Sequence, residues 1–88
     1  MNRQGAREAA ARGDLVVYTW TERKLRFSIM GRFRPTPYPT TYGKDQLQFV
    51  PLRARDSRGH GDAMGRWHPR DAEWVQFRLA TAEEILLL

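Results

Sequence analysis

Two neighbouring stretches, Leu15-Val16-Val17-Tyr18-Thr19-Trp20 and Leu25-Arg26-Phe27-Ser28-Ile29-Met30-Gly31-Arg32-Phe33-Arg34, decide how this chain folds. In the first the even positions are large and apolar. In the second the odd positions are apolar and the even ones mostly polar. A period of two puts alternate side chains on opposite faces of a strand. The four residues Thr21-Glu22-Arg23-Lys24 between them suffice for a hairpin loop. Pairing Trp20 with Leu25 sets Tyr18 against Phe27 and Val16 against Ile29, so all six share one face.

Working outward, a third strand is expected from about Gln46 to Arg55. Leu47 and Phe49 point one way and Leu52 and Ala54 need the opposite parity, which a β-bulge near Phe49-Val50-Pro51 supplies. Antiparallel pairing then sets Phe33 by Leu47, Gly31 under Phe49, Ile29 by Leu52 and Phe27 by Ala54. Trp74 to Leu79 alternates again, with Val75, Phe77 and Leu79 inward, as a fourth strand. Between the second and third strands, Pro35, Pro37 and Pro39 hold an extended loop through Gly43. Asp56 to Gly65 is a glycine-rich loop.

Both ends read as helical. Ala6, Ala9 and Ala10 form one stripe in Met1–Gly13, Glu8 and Arg12 are an i,i+4 pair, and Gly13 is a stop. Thr81-Ala82-Glu83-Glu84 fits a capping box opening a short helix through Ile85. The expected architecture is α+β and mainly β: a four-stranded antiparallel sheet or small open barrel, with a short N-terminal and a short C-terminal helix. Residues 1–13 form a helical arm and 14–88 a single domain.

Composition bounds the rest. At 88 residues the chain suits one domain, and 41% hydrophobic residues with 28% charged are ordinary for a globular protein. The absence of cysteine excludes disulfides, thiolate metal sites and a cysteine nucleophile, and favours the cytoplasm over secretion. Met1–Gly13 lacks the apolar stretch of a signal peptide, and no run is long and apolar enough to span a bilayer. The net charge is +5, from 15 basic and 10 acidic residues, with Arg far outnumbering Lys. Residues 1–35 carry eight basic against three acidic side chains, whereas the last eighteen residues set Arg78 against four carboxylates. That bias suits an anionic partner on the first two-thirds of the chain.

The expected strand register places Arg26 opposite Arg55, Arg53 beside Ser28, and Arg32 and Arg34 opposite Gln48 and Gln46. Like charges facing each other across a sheet repel unless something neutralises them, and a phosphate backbone does so. The reading is therefore a largely sequence-independent binder of nucleic acid or another polyanion. Its contacts are Arg26, Arg32, Arg34, Arg53, Arg55, Gln46 and Gln48, with Tyr38 and Tyr42 as stacking platforms and Trp67, beside Arg66 and Arg70, as a further ring. The bland alternative is a solvated face whose arginines are satisfied by Glu22, Asp56 or the acidic tail.

Leu15, Val17 and Met30 share the outward face and need cover, from the N-terminal helix, from Ile85 to Leu88, or from a second chain. A protein-interaction module, an accessory subunit or inhibitor from a mobile element, or a homodimer, is the first alternative function. A small ribonuclease is the second, with His60 and His68 in general acid–base roles. It rests on analogy in size and composition with endoribonuclease toxins, since no motif supports it. His60, Asp62, His68 and Asp71 lack metal-ligand spacing, and neither a cofactor nor a metal is expected.

Overall fold

The computed structural model describes residues 1–52 and 65–88. Its centre is an antiparallel hairpin of β1 (Val16–Glu22) and β2 (Leu25–Pro35). With β3 (Leu47–Pro51) and β4 (Phe77–Leu79) they form an open four-stranded sheet in the order β3-β2-β1-β4, antiparallel throughout. Helix α1 (Arg3–Arg12) precedes it and α3 (Ala82–Leu86) ends it. The fold class is the expected α+β one.

The hairpin has the expected faces but a different register. Trp20 pairs with Phe27, Tyr18 with Ile29 and Val16 with Gly31, and Glu22 meets Leu25. The loop is therefore two residues, Arg23 (φ 51°) and Lys24 (φ 66°), instead of four. Two successive left-handed residues twist in the sense of the flanking strands, which favours this tight connection. A slip of two positions preserves parity, so no side chain changes face.

The β2–β3 pairing also shifts by two. Phe33 lies opposite Phe49, Arg34 opposite Gln48 and Gly31 opposite Pro51, and the expected bulge is absent from β3. The amide of Phe49 points away from β2 and donates to Trp67 O at 2.8 Å. Pro51, two residues on, has its nitrogen on that same outer side and takes nothing from the β2 ladder. Leu52 then donates to Met30 O at 2.9 Å and is exposed, not inward. Ala54, Arg53, Arg55 and His60 lie outside the described residues, as does the expected glycine-rich loop apart from Gly65.

Two further expectations are corrected. Asp71–Gln76 is a 3₁₀ helix, so the fourth strand shrinks to Phe77–Leu79. Helical turning buries Trp74 and leaves Val75 80% exposed, where alternation had placed it inward. Leu79 keeps the expected parity at the sheet edge but is also exposed. The proline segment is not extended throughout: Pro39–Tyr42 makes one helical turn, α2, with proline in its first turn, where a missing N–H costs nothing.

One face of the sheet carries the core. Phe33, Phe49, Trp74 and Phe77 are buried with ring centroids 4.9–6.0 Å apart, mostly edge-on or tilted. A fully buried aromatic of this kind contributes roughly 1.5–3 kcal/mol. Helix α1 lies on this face through Ala6 and Ala9, both fully buried. An alanine methyl contributes only about 0.8 kcal/mol, and the helix has other ties. The Met1 amine donates to Phe77 O at 2.8 Å, Asn2 caps the first turn, and Gly13 ends the helix at φ 72°. The expected Glu8–Arg12 pair does not form: Glu8 accepts from Gln4 and Arg12 turns to Asp14 at 2.7 Å.

The capping box at α3 is as read. Thr81 Oγ1 accepts from Glu84 N, and Glu84 Oε1 accepts from Thr81 N. Glu84 also receives both terminal nitrogens of Arg78, at 2.6 and 2.9 Å.

Candidate functional site

Residues Arg66 to Arg70 run along the outer edge of β3, held there by the reciprocal bonds between Phe49 and Trp67. Extended pairing sends alternate side chains to opposite sides. Trp67 packs inward on Phe49 at 4.7 Å and on Tyr18 at 5.3 Å, and Pro69 is fully buried. Arg66, His68 and Arg70 are left for the other side. Gln46 Nε2 ties the segment down by donating to Pro69 O at 3.2 Å.

That second side already holds Arg34 and Gln48, side by side across β2 and β3. Gln48 is buried, and its Oε1 accepts from Arg34 Nε at 2.8 Å. This bond fixes the guanidinium by its inner nitrogen and leaves both terminal nitrogens for something else. His68 lies beyond. Its Nε2 is hydrogen-bonded to Thr36 Oγ1 at 2.7 Å, and Thr36 Oγ1 accepts from Tyr38 N at 3.1 Å. Which of the two groups donates in the Thr36–His68 bond is set by the imidazole tautomer.

Burial, reinforced by the positive charge of Arg34, holds the His68 imidazole below its ordinary pKa, so it is neutral at pH 7. Tyr42 lies flat on it, with ring centres 3.8 Å apart and planes 15° from parallel. Tyr38 stands 6.4 Å from both rings. Tyr38 and Tyr42 are 57% and 52% exposed, so each offers ring surface to solvent.

These groups enclose an open pocket of about 470 Å³, lined by Arg34, Arg66, Arg70, His68, Tyr38, Tyr42, Gln48 and Trp67. None of the eight is acidic. The two acidic residues that follow Arg70 are both hydrogen-bonded: Glu73 Oε1 accepts from the Arg70 backbone N–H, and Asp71 Oδ1 from the Trp74 indole. Among the described residues no ion pair involves Arg34, Arg66 or Arg70. A second cavity, about 290 Å³ between α1 and β3, mixes Arg7 and Lys44 with Asp45 and several apolar residues. It has no comparable excess of one charge.

No family model, curated protein or solved structure matches the chain. The site must therefore be read from its own chemistry.

Of the five arginines expected from sequence, the three that are described do not converge: Arg34 lines the pocket, and Arg26 and Arg32 lie elsewhere. Arg26 pairs with Thr21 near the hairpin turn, eight residues along β2 from Arg34, or about 27 Å of strand. Arg32 is opposite Val50, and its Nε reaches back to Gly13 O at 3.2 Å. Arg53 and Arg55 lie outside the described residues, so the expected Arg26–Arg55 pair is not described either. Gln48 orients Arg34, and Gln46 anchors Pro69; both serve the site by holding it in place.

The expectation missed how Arg66, His68 and Arg70 meet Arg34. Its signal was present, because Arg66-Trp67-His68-Pro69-Arg70 alternates polar with apolar, the mark of an edge segment with one buried face. Among the described residues no cluster of carboxylate and imidazole groups could hold a metal. His60, the other histidine expected in an acid–base role, lies outside the described residues.

The apolar residues of the second face divide. Val17 is 2% exposed and so is covered within the chain, while Leu15 and Met30 are half-buried. The expected cover is not α1, which occupies the aromatic face. Arg78, the cross-strand neighbour of Val17, grips Glu84 and brings α3 to this side. Ile85 and Leu88 remain 45% and 58% exposed. Among the described residues no helix is long and apolar enough to cross a membrane.

Proposed function

We propose that this domain binds nucleic acid, or a polyanion of the same phosphate chemistry, at the pocket between β3, α2 and residues 66–70. One observation carries the reading: three guanidinium groups converge around a neutral imidazole and two exposed phenol rings, and none of the described lining residues is acidic. Arginine's planar fork suits phosphate oxygens, and buried Gln48 holds one such fork in place before any ligand arrives. Backbone contacts of this type give affinity with little discrimination between sequences.

Fluorescence anisotropy with a labelled mixed-sequence oligonucleotide, titrated across salt, tests the proposal. Three phosphate contacts on a single strand give a slope of log K against log salt near −2, at about −0.7 per contact. Combined Arg34→Ala, Arg66→Ala and Arg70→Ala should remove binding, whereas Arg26→Ala with Arg32→Ala should change it little. Undetectable binding at low salt, or full affinity in the triple variant, would defeat the proposal.

A second reading has its own support. Ile85 to Leu88 are all exposed on one segment, and Leu15 and Met30 on the second face of the sheet are only half-buried. A protein partner or homodimer at this edge predicts a mass on a sizing column that rises with concentration and persists in high salt. A salt-sensitive polyanion binder predicts a monomer under those conditions.

A further inference from the structure

We infer that the occupant of this pocket is an unpaired nucleotide of a single strand, its base stacked on Tyr42 and its phosphate among Arg34, Arg66 and Arg70. This rests on the reading of the pocket as a phosphate-binding site and specifies what it takes. Tyr42 has one ring face laid on His68 at 3.8 Å, yet the residue is 52% exposed. The exposure therefore belongs to its outer face and edges. His68 cannot tilt away, because Thr36 pins its Nε2 at 2.7 Å and Thr36 is itself buried. The pair is a two-layer stack, rigid at its inner end and open at its outer end.

A nucleobase adds a third layer with no rearrangement. Tyr38, 6.4 Å from both rings and similarly exposed, forms the side wall. In a duplex each base face is covered by its neighbours, and only edges and backbone are presented. A duplex can meet the arginines but cannot fill the space beside Tyr42. The volume, about 470 Å³, falls within the roughly 300–1,000 Å³ typical of sites that enclose a small ligand. Stacking on a ring tolerates any base, since every base has a π-face.

The test uses the whole chain with a 12-nucleotide mixed-sequence single strand, in DNA and in RNA, and the blunt duplex of the same DNA sequence, at one low salt concentration. The single strands should bind at least tenfold more tightly than the duplex. Tyr42→Ala should lower single-strand affinity about tenfold or more, Tyr42→Phe should retain it, and neither should alter duplex binding. Because Tyr42 also supports His68, Tyr38→Ala gives an independent check and should weaken the single strand alone. A strand of abasic sites should bind the parent no better than the intact strand binds Tyr42→Ala. Equal affinity for single strand and duplex, with both tyrosine variants indifferent, overturns this inference and leaves a phosphate site standing. Failure of all three nucleic acids to bind removes the underlying reading as well.

Discussion

Gly31→Ala offers the sharpest test of the framework that holds the pocket. A Cβ at this position would stand 2.7 Å from Phe49 Cζ and 2.9 Å from Pro51 Cα, and closer still to the Val50 carbonyl oxygen. Two of those three atoms are backbone and cannot rotate aside. The strands must therefore part, which strains the Arg32–Val50 and Arg34–Gln48 pairings and the edge-on contact of Phe33 with Phe49. Overpacking of this kind costs about 1–3 kcal/mol, and the backbone clash argues for the upper end. Alanine's smaller loss of chain entropy returns about 0.5–1 kcal/mol. The net is a destabilisation of about 2 kcal/mol, a sizeable share of the ~4–13 kcal/mol expected for 88 residues. In urea the midpoint should fall by about 1 M, given a slope of roughly 1–3 kcal/mol per M. Gly13→Ala is the control: its φ of 72° is strained for alanine but the space is open, so the loss should be about 1 kcal/mol with the β2–β3 amides still protected. If Gly31→Ala unfolds within about 0.5 kcal/mol of the parent (within ordinary surface-substitution scatter), the Gly31–Pro51 register is wrong, and with it the placement of Arg34 beside Gln48.

Four further outcomes follow from individual turns and contacts. Arg23→Asn with Lys24→Gly suits a turn whose φ values are 51° and 66°, and should add about 1 kcal/mol, or roughly 4–8 °C in Tm; an unchanged Tm would contradict the left-handed turn. Thr81→Ala removes the bond to Glu84 N and should cost α3 about 1 kcal/mol, read as faster amide exchange confined to residues 82–87. The hydrogen bond from Arg78, with Thr81 N assisting, lowers the Glu84 carboxyl from 4.5 to about 2, so its contribution is complete above pH 4.5 and fades as pH falls towards 2. Protection of α3 should decline across that window in the parent and not in Glu84→Gln. His68 has its folded pKa lowered, so its contribution to stability is full above the ordinary imidazole value near ~6.5 and is lost as pH falls through the folded value. A bound phosphate favours the imidazolium, so affinity should rise as pH falls below neutrality, and the His68 proton shifts should titrate at higher pH in the complex than in the free protein. Identical titration in both states would place the anion away from His68.

Much of the fold was legible because the core residues alternate. The period of two in residues 15–34 set which side chains face inward, and parity survived a two-residue error in both registers as far as Pro51, failing at Leu52 because the expected bulge does not form. The register itself was hidden by the turn, since Arg23 and Lys24 adopt left-handed angles without the glycine or asparagine that usually marks them. Val75 misled for a related reason: six residues of 3₁₀ helix and a three-residue strand leave too little periodicity to separate one from the other. At the site, the basic character and the two loop tyrosines could be read from the sequence. Their convergence with Arg66, His68 and Arg70 was only half legible: the alternation of residues 66–70 marks an edge segment with one buried face, but the edge it docks on, that of β3, is a contact between distant segments that no local pattern specifies.

The central claim is that an anionic strand seats at one place, against Arg34, Arg66, Arg70 and the Tyr42–His68 stack. A ¹H–¹⁵N map of the full chain titrated with a short single-stranded oligonucleotide addresses it directly. The account predicts shifts in the backbone amides of Thr36, Tyr38, Thr40, Thr41 and Tyr42 and in those of Arg66, Trp67, His68 and Arg70, in the Nε–H of Arg34, and in the Gln48 side-chain amide, with Arg26 and α3 unmoved. Shifts centred on Leu15, Met30 and Ile85, or spread evenly over every arginine, would contradict it.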